Sequence, residues 1–268
     1  MNEPVNLGNP ITDWEKPIWT PEPLFSGETV FCVACGPSVP NDIASKLDGR
    51  RVIAVNSAIY KIPAADVLFF TDAGWFEMFG EDYGRNKLLS GKPGNDVWPR
   101  RAFLERLPGL VVSFAPVAKR VLDDPSSPFE MARRPRVCRV KAQGAATAQP
   151  RQAGAKGFEP RFPPVGSREI WGGRSSGHTA ISLAIAMGAK RVAMVGYDMR
   201  VVGGREHFHA DYKGGRDLNI YANEFVPGFN GWNESALASG TEILNCTPGS
   251  AISEFPFADL EDVLNGNR

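Results

Sequence analysis

The turn Gly36-Pro37-Ser38 closes an apolar run, Thr29 to Ala34, and precedes a helix-forming stretch, Asn41 to Leu47. A glycine-proline-serine turn at the end of a strand lets a ligand approach bare backbone, as phosphate-binding turns require. Ser175-Ser176-Gly177 opens a second helical stretch, Thr179 to Met187, and offers an anion hydroxyls, free backbone N–H groups and the positive end of a helix dipole. Gly172, Gly173 and Gly177 give more backbone access there than capping needs. Asn56, Asp72 and Asp198 each follow an apolar run. In a parallel sheet all such ends open on one rim, so Ser38, Asn56, Asp72 and Asp198 converge where ligands of open α/β sheets bind. Taken singly, each is also an ordinary turn residue or helix cap. His207-Phe208-His209-Ala210-Asp211-Tyr212 follows Asp198 in a polar stretch, 200 to 231. An imidazole titrating at about pH 6.5 suits a general base for an acceptor hydroxyl, and a tyrosine can donate to a departing phosphate. The catalytic candidates are therefore His207, His209 and Tyr212. The nucleotide-binding candidates are Gly36, Pro37, Ser38, Asn56, Asp72, Ser175, Ser176, Gly177 and Asp198.

Several competing chemistries fit less well. No glycine pair follows Gly36 at the spacing of the dinucleotide fingerprint, and the turn lacks the lysine of a P-loop. Cys32 and Cys35 have CxxC spacing, but a strand places them on opposite faces and no second pair completes a zinc site. His207-x-His209-x-Asp211 matches the opening ligand pattern of metallo-β-lactamase-like hydrolases. That pattern needs further histidines downstream, and none follows His209. A base, a substrate contact, a metal ligand and a plain surface loop stay open for these residues, with no metal site expected. Residues 132 to 165 hold Arg133, Arg134, Arg136, Arg139, Lys141, Arg151, Lys156 and Arg161 against Glu159. With few interleaved aromatics, this stretch reads as a solvated loop closing on a ligand more readily than as a nucleic-acid surface.

The elements that must position these groups are legible as apolar runs. Thr29 to Ala34, Arg51 to Val55, Ala65 to Phe70, Gly109 to Ala115, Arg191 to Val195 and Thr241 to Asn245 read as strands, with a short further one at Arg136 to Lys141. Runs without polar alternation are buried on both faces, the mark of a parallel sheet between helices. Helices are expected at Asn41 to Leu47, Gly74 to Asn86, Thr179 to Met187, Trp232 to Ser239 and Ala258 to Leu264. The fold class is α/β, a Rossmann-like three-layer sandwich with a mostly parallel sheet. Prolines 4, 10, 17, 21 and 23 suggest an extended arm over residues 1 to 27, and the body spans 28 to 268. Residues 142 to 168, without apolar period, predict a mobile lid over about 123 to 171.

At 268 residues, 43% hydrophobic and 22% charged, the composition is that of one globular body with a full core. Thirty basic side chains balance thirty acidic ones, so no overall field demands a nucleic acid or anionic membrane as partner. Four cysteines are too few for a stapled secreted scaffold and read as free thiols in a reducing cytoplasm. Neither a signal peptide nor a membrane span is visible, so a cytoplasmic protein is expected.

The glycine-proline-serine turn, Val55-Asn56, Ala65 to Asp72, Ser175-Ser176-Gly177 with its helix, and Val195-Gly196-Tyr197-Asp198 together resemble one superfamily. It contains 6-hydroxymethylpterin pyrophosphokinase, the motility-accessory-factor glycosyltransferases and, more distantly, bacterial CMP-sialic-acid-dependent sialyltransferases. The likeness to phage-encoded members extends to His207 to Tyr212 and to Ile243 to Ala251. It covers roughly 28 to 264 in motif order, with a poorly matching middle third. The resemblance implies that Gly36, Ser38, Asn56, Ser176 and Gly177 hold a nucleotide, and that His207 or His209 deprotonates the acceptor. The family's paired tyrosines have no clear counterparts; Tyr197 and Tyr212 stand in. What it implies for function is a transferase using a nucleotide sugar of CMP or UDP type, with an unknown acceptor, modified DNA included. The alternatives are Mg²⁺-dependent pyrophosphoryl transfer from ATP to a pterin-like alcohol, with Asp72 and Asp198 as the metal-holding carboxylates, and a non-catalytic nucleotide-binding phage protein.

Overall fold

The computed structural model describes residues 21–71, 107–114, 137–143, 169–173, 175–209 and 218–267. Eight strands form one parallel sheet: β1 (Thr29–Val33), β2 (Arg51–Val55), β3 (Val67–Phe70), β4 (Leu110–Phe114), β5 (Val137–Gln143), β6 (Glu169–Trp171), β7 (Arg191–Val195) and β8 (Glu242–Asn245). Their order is β6-β5-β4-β3-β2-β1-β7-β8. The chain thus builds outward from β1 to β6, then crosses back to lay β7 on the other side of β1. Cys32 pairs with Ile53 on one flank and with Met194 on the other. That reversal makes the crevice between the C-terminal ends of β1 and β7 the topological switch point of the sheet.

Alternate residues of the strands feed two separate cores, which is why the runs carry no polar face. Phe31, Val33, Val52, Ala54, Leu68, Phe70, Ala193 and Val195 pack with Ile43 of α1 (Ile43–Lys46) and with Val263 and Leu264 of the last helix. Val30, Cys32, Ile53, Val55, Val67, Phe69, Val192 and Met194 pack on the opposite side with α2 (Ser176–Ala186) and α3 (Trp232–Ala238). The last helix, α4 (Leu260–Leu264), is capped by Asp259, whose carboxylate accepts from the N–H groups of Glu261 and Asp262. The result is the three-layer α/β sandwich expected from the apolar runs. Every residue of α2 is buried, the polar Ser176, His178, Thr179 and Ser182 included, so the helix works as core rather than surface. Burying side chains such as Ile181, Leu183 and Ile185 contributes about 1.5–3 kcal/mol each.

Within the range expected to form a lid, β5 and β6 are strands of the sheet, paired through Lys141 with Glu169 and Gln143 with Trp171. The sheet is therefore wider than the sequence suggests, because a strand of three residues is too short to show a period. The polar stretch 200 to 231 also holds regular structure, a π-helical turn at Tyr221–Phe225 and a 3₁₀ turn at Pro227–Phe229. The helix expected at Gly74 to Asn86, residues 132 to 136 and 144 to 165 of the basic stretch, and most of the N-terminal arm lie outside the described residues. Where that arm is described, Phe25 is buried and its N–H donates to the Met187 carbonyl at 2.9 Å.

Candidate nucleotide site at the sheet rim

The turn after β1 is closed by the Val39 N–H donating to the Gly36 carbonyl at 3.3 Å. Gly36 itself donates to the Gly196 carbonyl at 2.9 Å, tying this turn to the loop after β7. A side chain at position 36 does not fit: its Cβ would stand 1.8 Å from Asp198 Oδ2 and 2.5 Å from the Gly196 oxygen. Glycine is required here by a carboxylate of the protein itself. Ser38 Oγ donates to Asp198 Oδ2 at 2.8 Å, and the Ser38 N–H points at the same oxygen at 3.4 Å. The groups that the sequence offers to a phosphate thus face Asp198.

Asp198 is almost fully buried, and its second oxygen, Oδ1, has no hydrogen-bond partner among the described residues. Burial pushes its carboxyl above the ordinary carboxylate range; the Ser38 hydrogen bonds, its own backbone N–H and the positive charge of Arg200 act in the opposite sense without overcoming it. The backbone is held just as firmly. Its carbonyl accepts from the Ala251 N–H at 2.9 Å, the Tyr197 carbonyl from Ser250 Oγ at 2.6 Å, and the Tyr197 N–H donates to Thr247 Oγ1 at 3.0 Å. The tail after β8 is a clamp on the loop after β7.

Asn56, at the end of β2, opens a 3₁₀ helix (Asn56–Tyr60) and has φ of +50°. A non-glycine residue in the left-handed region is uncommon and strained, and such residues gather at functional sites. Met199, just after Asp198 on the same rim, shares φ of +50°. Between these ends, Cys35 Sγ approaches the Val55 carbonyl at 3.2 Å. Cys32, three residues earlier, contributes to the other core, so the CxxC pair is divided by the sheet as expected.

The start of α2 meets the same rim. Thr71, after β3, shares a 2.7 Å hydrogen bond with Ser176 Oγ. Ser175 occupies the cap position with extended backbone, but its hydroxyl bonds to His178 Nδ1 at 2.8 Å and does not cap the helix. The first N–H groups of an uncapped helix, with the positive end of its dipole, attract an anion. His178 is fully buried and stacks on Phe229 with ring centres 3.7 Å apart, while Trp232 meets its edge. Two of the glycines read as ligand access have a steric duty: a Cβ on Gly173 would stand 1.9 Å from His178 Cβ, and one on Gly177 2.8 Å from Tyr197 Cε1. Tyr197 is buried and donates to the Gly177 carbonyl at 3.1 Å, so its hydroxyl anchors α2 rather than facing a leaving group.

His207 and His209 lie beside the first turn. Their rings are parallel with centres 5.2 Å apart. Between them, the Phe208 N–H donates to the Cys35 carbonyl at 3.0 Å, and the Phe208 ring lies 4.8 Å from Lys61 Nζ. Lys61 also donates to the Val39 and Pro40 carbonyls, and burial, followed by repulsion from Arg205, lowers its pKa. The histidine loop is therefore pinned to the C-terminal turn of β1. Asp72 and Tyr212 lie outside the described residues. Among the described residues, no group of three or more His, Cys, Asp or Glu stands where it would hold a metal ion, and no helix is long and apolar enough to cross a membrane.

Of the residues proposed from sequence, Gly36, Pro37, Ser38, Asn56, Ser175, Ser176, Gly177 and Asp198 lie at the C-terminal ends of β1, β2 and β7 or at the α2 start that Thr71 joins to β3, and His207 and His209 flank Phe208, whose N–H bonds to Cys35 after β1. Thr71, Lys61, His178, Thr247 and Ser250 were missed. Thr71, His178, Thr247 and Ser250 lie within or beside the quoted motifs but carry no role there, and Lys61 has no motif signal at all.

No protein-family model matches the chain, and no curated protein matches it. A solved structure of the sialyltransferase CstII from Campylobacter jejuni, in complex with the substrate analogue cytidine-5′-monophosphate, is similar over 87% of this chain and 86% of its own, with 11% identity and a TM-score of 0.47.

Proposed function

We propose that this protein is a nucleotide-dependent transferase that moves a sugar from a nucleotide-sugar donor to an acceptor hydroxyl. The observation that supports the reading is the meeting of three features on one rim. They are the start of α2 beside Thr71, which the Ser175 side chain does not cap, the strained Asn56 at the end of β2, and a pair of imidazoles pinned to the turn after β1. The motif resemblance to bacterial sialyltransferases and their relatives points the same way.

In the proposed reaction the acceptor oxygen bonds to the anomeric carbon as the bond from that carbon to the phosphate oxygen breaks. The electron pair leaves with the nucleotide phosphate, and the acceptor proton passes to His207 or His209. The N–H groups at the start of α2 and the helix dipole are fixed before the charge develops, which is electrostatic preorganisation. Tyr212 is proposed as a donor to the departing phosphate.

The test is a thermal-shift series with CMP, UMP, UDP and ATP, followed by a sugar-transfer assay with and without a chelator. A ligand at one hundred times its Kd stabilises the native state by about 2.7 kcal/mol. A selective shift by a pyrimidine nucleotide and chelator-resistant transfer support the reading. A shift by ATP with activity lost on chelation selects pyrophosphoryl transfer instead. Binding that survives His207→Ala with His209→Ala, with no product in any assay, selects a sensor.

A further inference from the structure

The anion-binding groups of the first turn are already committed to an anion. Both the hydroxyl and the N–H of Ser38 point at Asp198 Oδ2, and Gly36 leaves room for that oxygen alone. A phosphate entering the same turn would stand against a buried carboxylate, and two like charges in a poorly solvated crevice repel strongly. Asp198 Oδ1 poses the opposite problem. It is buried, without a partner among the described residues, at the switch point between β1 and β7. A buried acceptor of this kind is costly unless a donor meets it.

Both observations are resolved by one placement of the ligand. Resting on the nucleotide reading above, we infer that the nucleotide lies along the rim with its nucleoside at the β1/β7 crevice, where Asp198 Oδ1 accepts a hydrogen bond from a ribose hydroxyl or an exocyclic amino group, and its phosphate at the start of α2. Carboxylates meet ribose hydroxyls in this way at the switch points of other doubly wound sheets. The dimensions agree. Thr71, which marks the α2 start, follows β3, and the crevice lies beyond β2 and β1, a separation of about 12 Å at about 4.8 Å per strand. That is the reach of an extended nucleoside monophosphate. Asp198 becomes a specificity-determining residue, and Ser38 the residue that orients it. The first turn then serves the ligand at second hand, by holding the carboxylate in place.

Calorimetry on the full chain separates this orientation from its reverse. The probes are CMP, UMP and AMP with the nucleoside of whichever binds tightest, against wild type, Asp198→Asn and Ser176→Ala. The asparagine amide keeps an oxygen for Ser38 and turns an NH₂ toward the former Oδ1 position, where it faces an exocyclic amino group donor against donor, or exchanges a charge-assisted bond from a ribose hydroxyl for a weaker neutral one. Asp198→Asn should therefore weaken nucleotide and nucleoside alike, by about tenfold or more, leaving their affinity ratio unchanged. Ser176→Ala should lower that ratio by about tenfold and leave nucleoside binding intact. Tighter nucleotide binding by Asp198→Asn would place the phosphate at the first turn and overturn the assignment, as would unchanged binding of both ligands. An arm without variants compares CMP with 2′,3′-dideoxy-CMP and with UMP on the wild-type protein: loss with either analogue supports the inference and names the donor, and full affinity for both refutes it. Failure of the wild type to bind any nucleotide would sink the nucleotide reading itself, a result distinct from a reversed orientation.

Discussion

Asn56 separates the demands of the fold from those of a ligand. Its φ of +50° suits glycine better than any side chain, so the amide is retained at a conformational cost. Asn56→Ala should melt below Asn56→Gly, by about 1 kcal/mol, because only glycine relaxes there. Both should lose nucleotide affinity by about tenfold in titration, since both lack the amide; equal melting of the two would remove the strain argument. Gly36 gives the converse case. Gly36→Ala drives a methyl into the Asp198 carboxylate and the Gly196 carbonyl, and overpacking of this kind costs about 1–3 kcal/mol, readable as a lower denaturant midpoint. Ser176→Ala removes one hydrogen bond to Thr71, worth about 1 kcal/mol. Its stability should fall by no more than that, while phosphate-dependent affinity falls by about tenfold.

The helix α2 links the two halves of the candidate site at the level of elements. Its start carries Ser175 and Ser176, its first turn carries His178, and His178 is stacked on Phe229 and edged by Trp232 at the head of α3. Trp232→Ala should cost about 3–5 kcal/mol, a fall of roughly 10 °C in Tm by calorimetry; a fall of one or two degrees would show that α3 does not brace α2. The strands were legible because unbroken apolar runs such as Arg51 to Val55 and Arg191 to Val195 can only be buried on both faces. The site was legible in part for the same reason: a polar residue ending such a run must lie on the rim. What sequence could not show were partnerships set by tertiary approach. Gly173 looked like ligand access and proves to be clearance for His178. Ser38 looked like a phosphate contact and proves to hold Asp198 from 160 residues away. The strand Glu169–Trp171 was hidden by its length, and the range around it read as a lid.

The molecule as a whole carries Asp198 as a pH-dependent liability. Burial holds its carboxyl above the ordinary value of 3.8, so between that value and the raised native one the folded state binds more proton than the unfolded chain. Stability therefore falls as pH rises through this window and stays at the lower level above it. Asp198→Asn removes the ionisation. Its Tm should exceed that of wild type at about pH 8, and the difference should shrink as the pH approaches about 4; a difference independent of pH would show that the carboxylate carries no such burden. A residue kept against stability fits a role in binding. The central strand has a further consequence, for synthesis. β1 emerges early from the ribosome, yet its second neighbour, β7, is encoded after all five strands of the other flank. Until that late segment arrives, the nascent polypeptide presents a bare, apolar β1 margin open to unwanted pairing, and pairing of such high sequence separation is slow. Translation stalled before Arg191 would leave a product with no β1/β7 crevice and a strong tendency to aggregate.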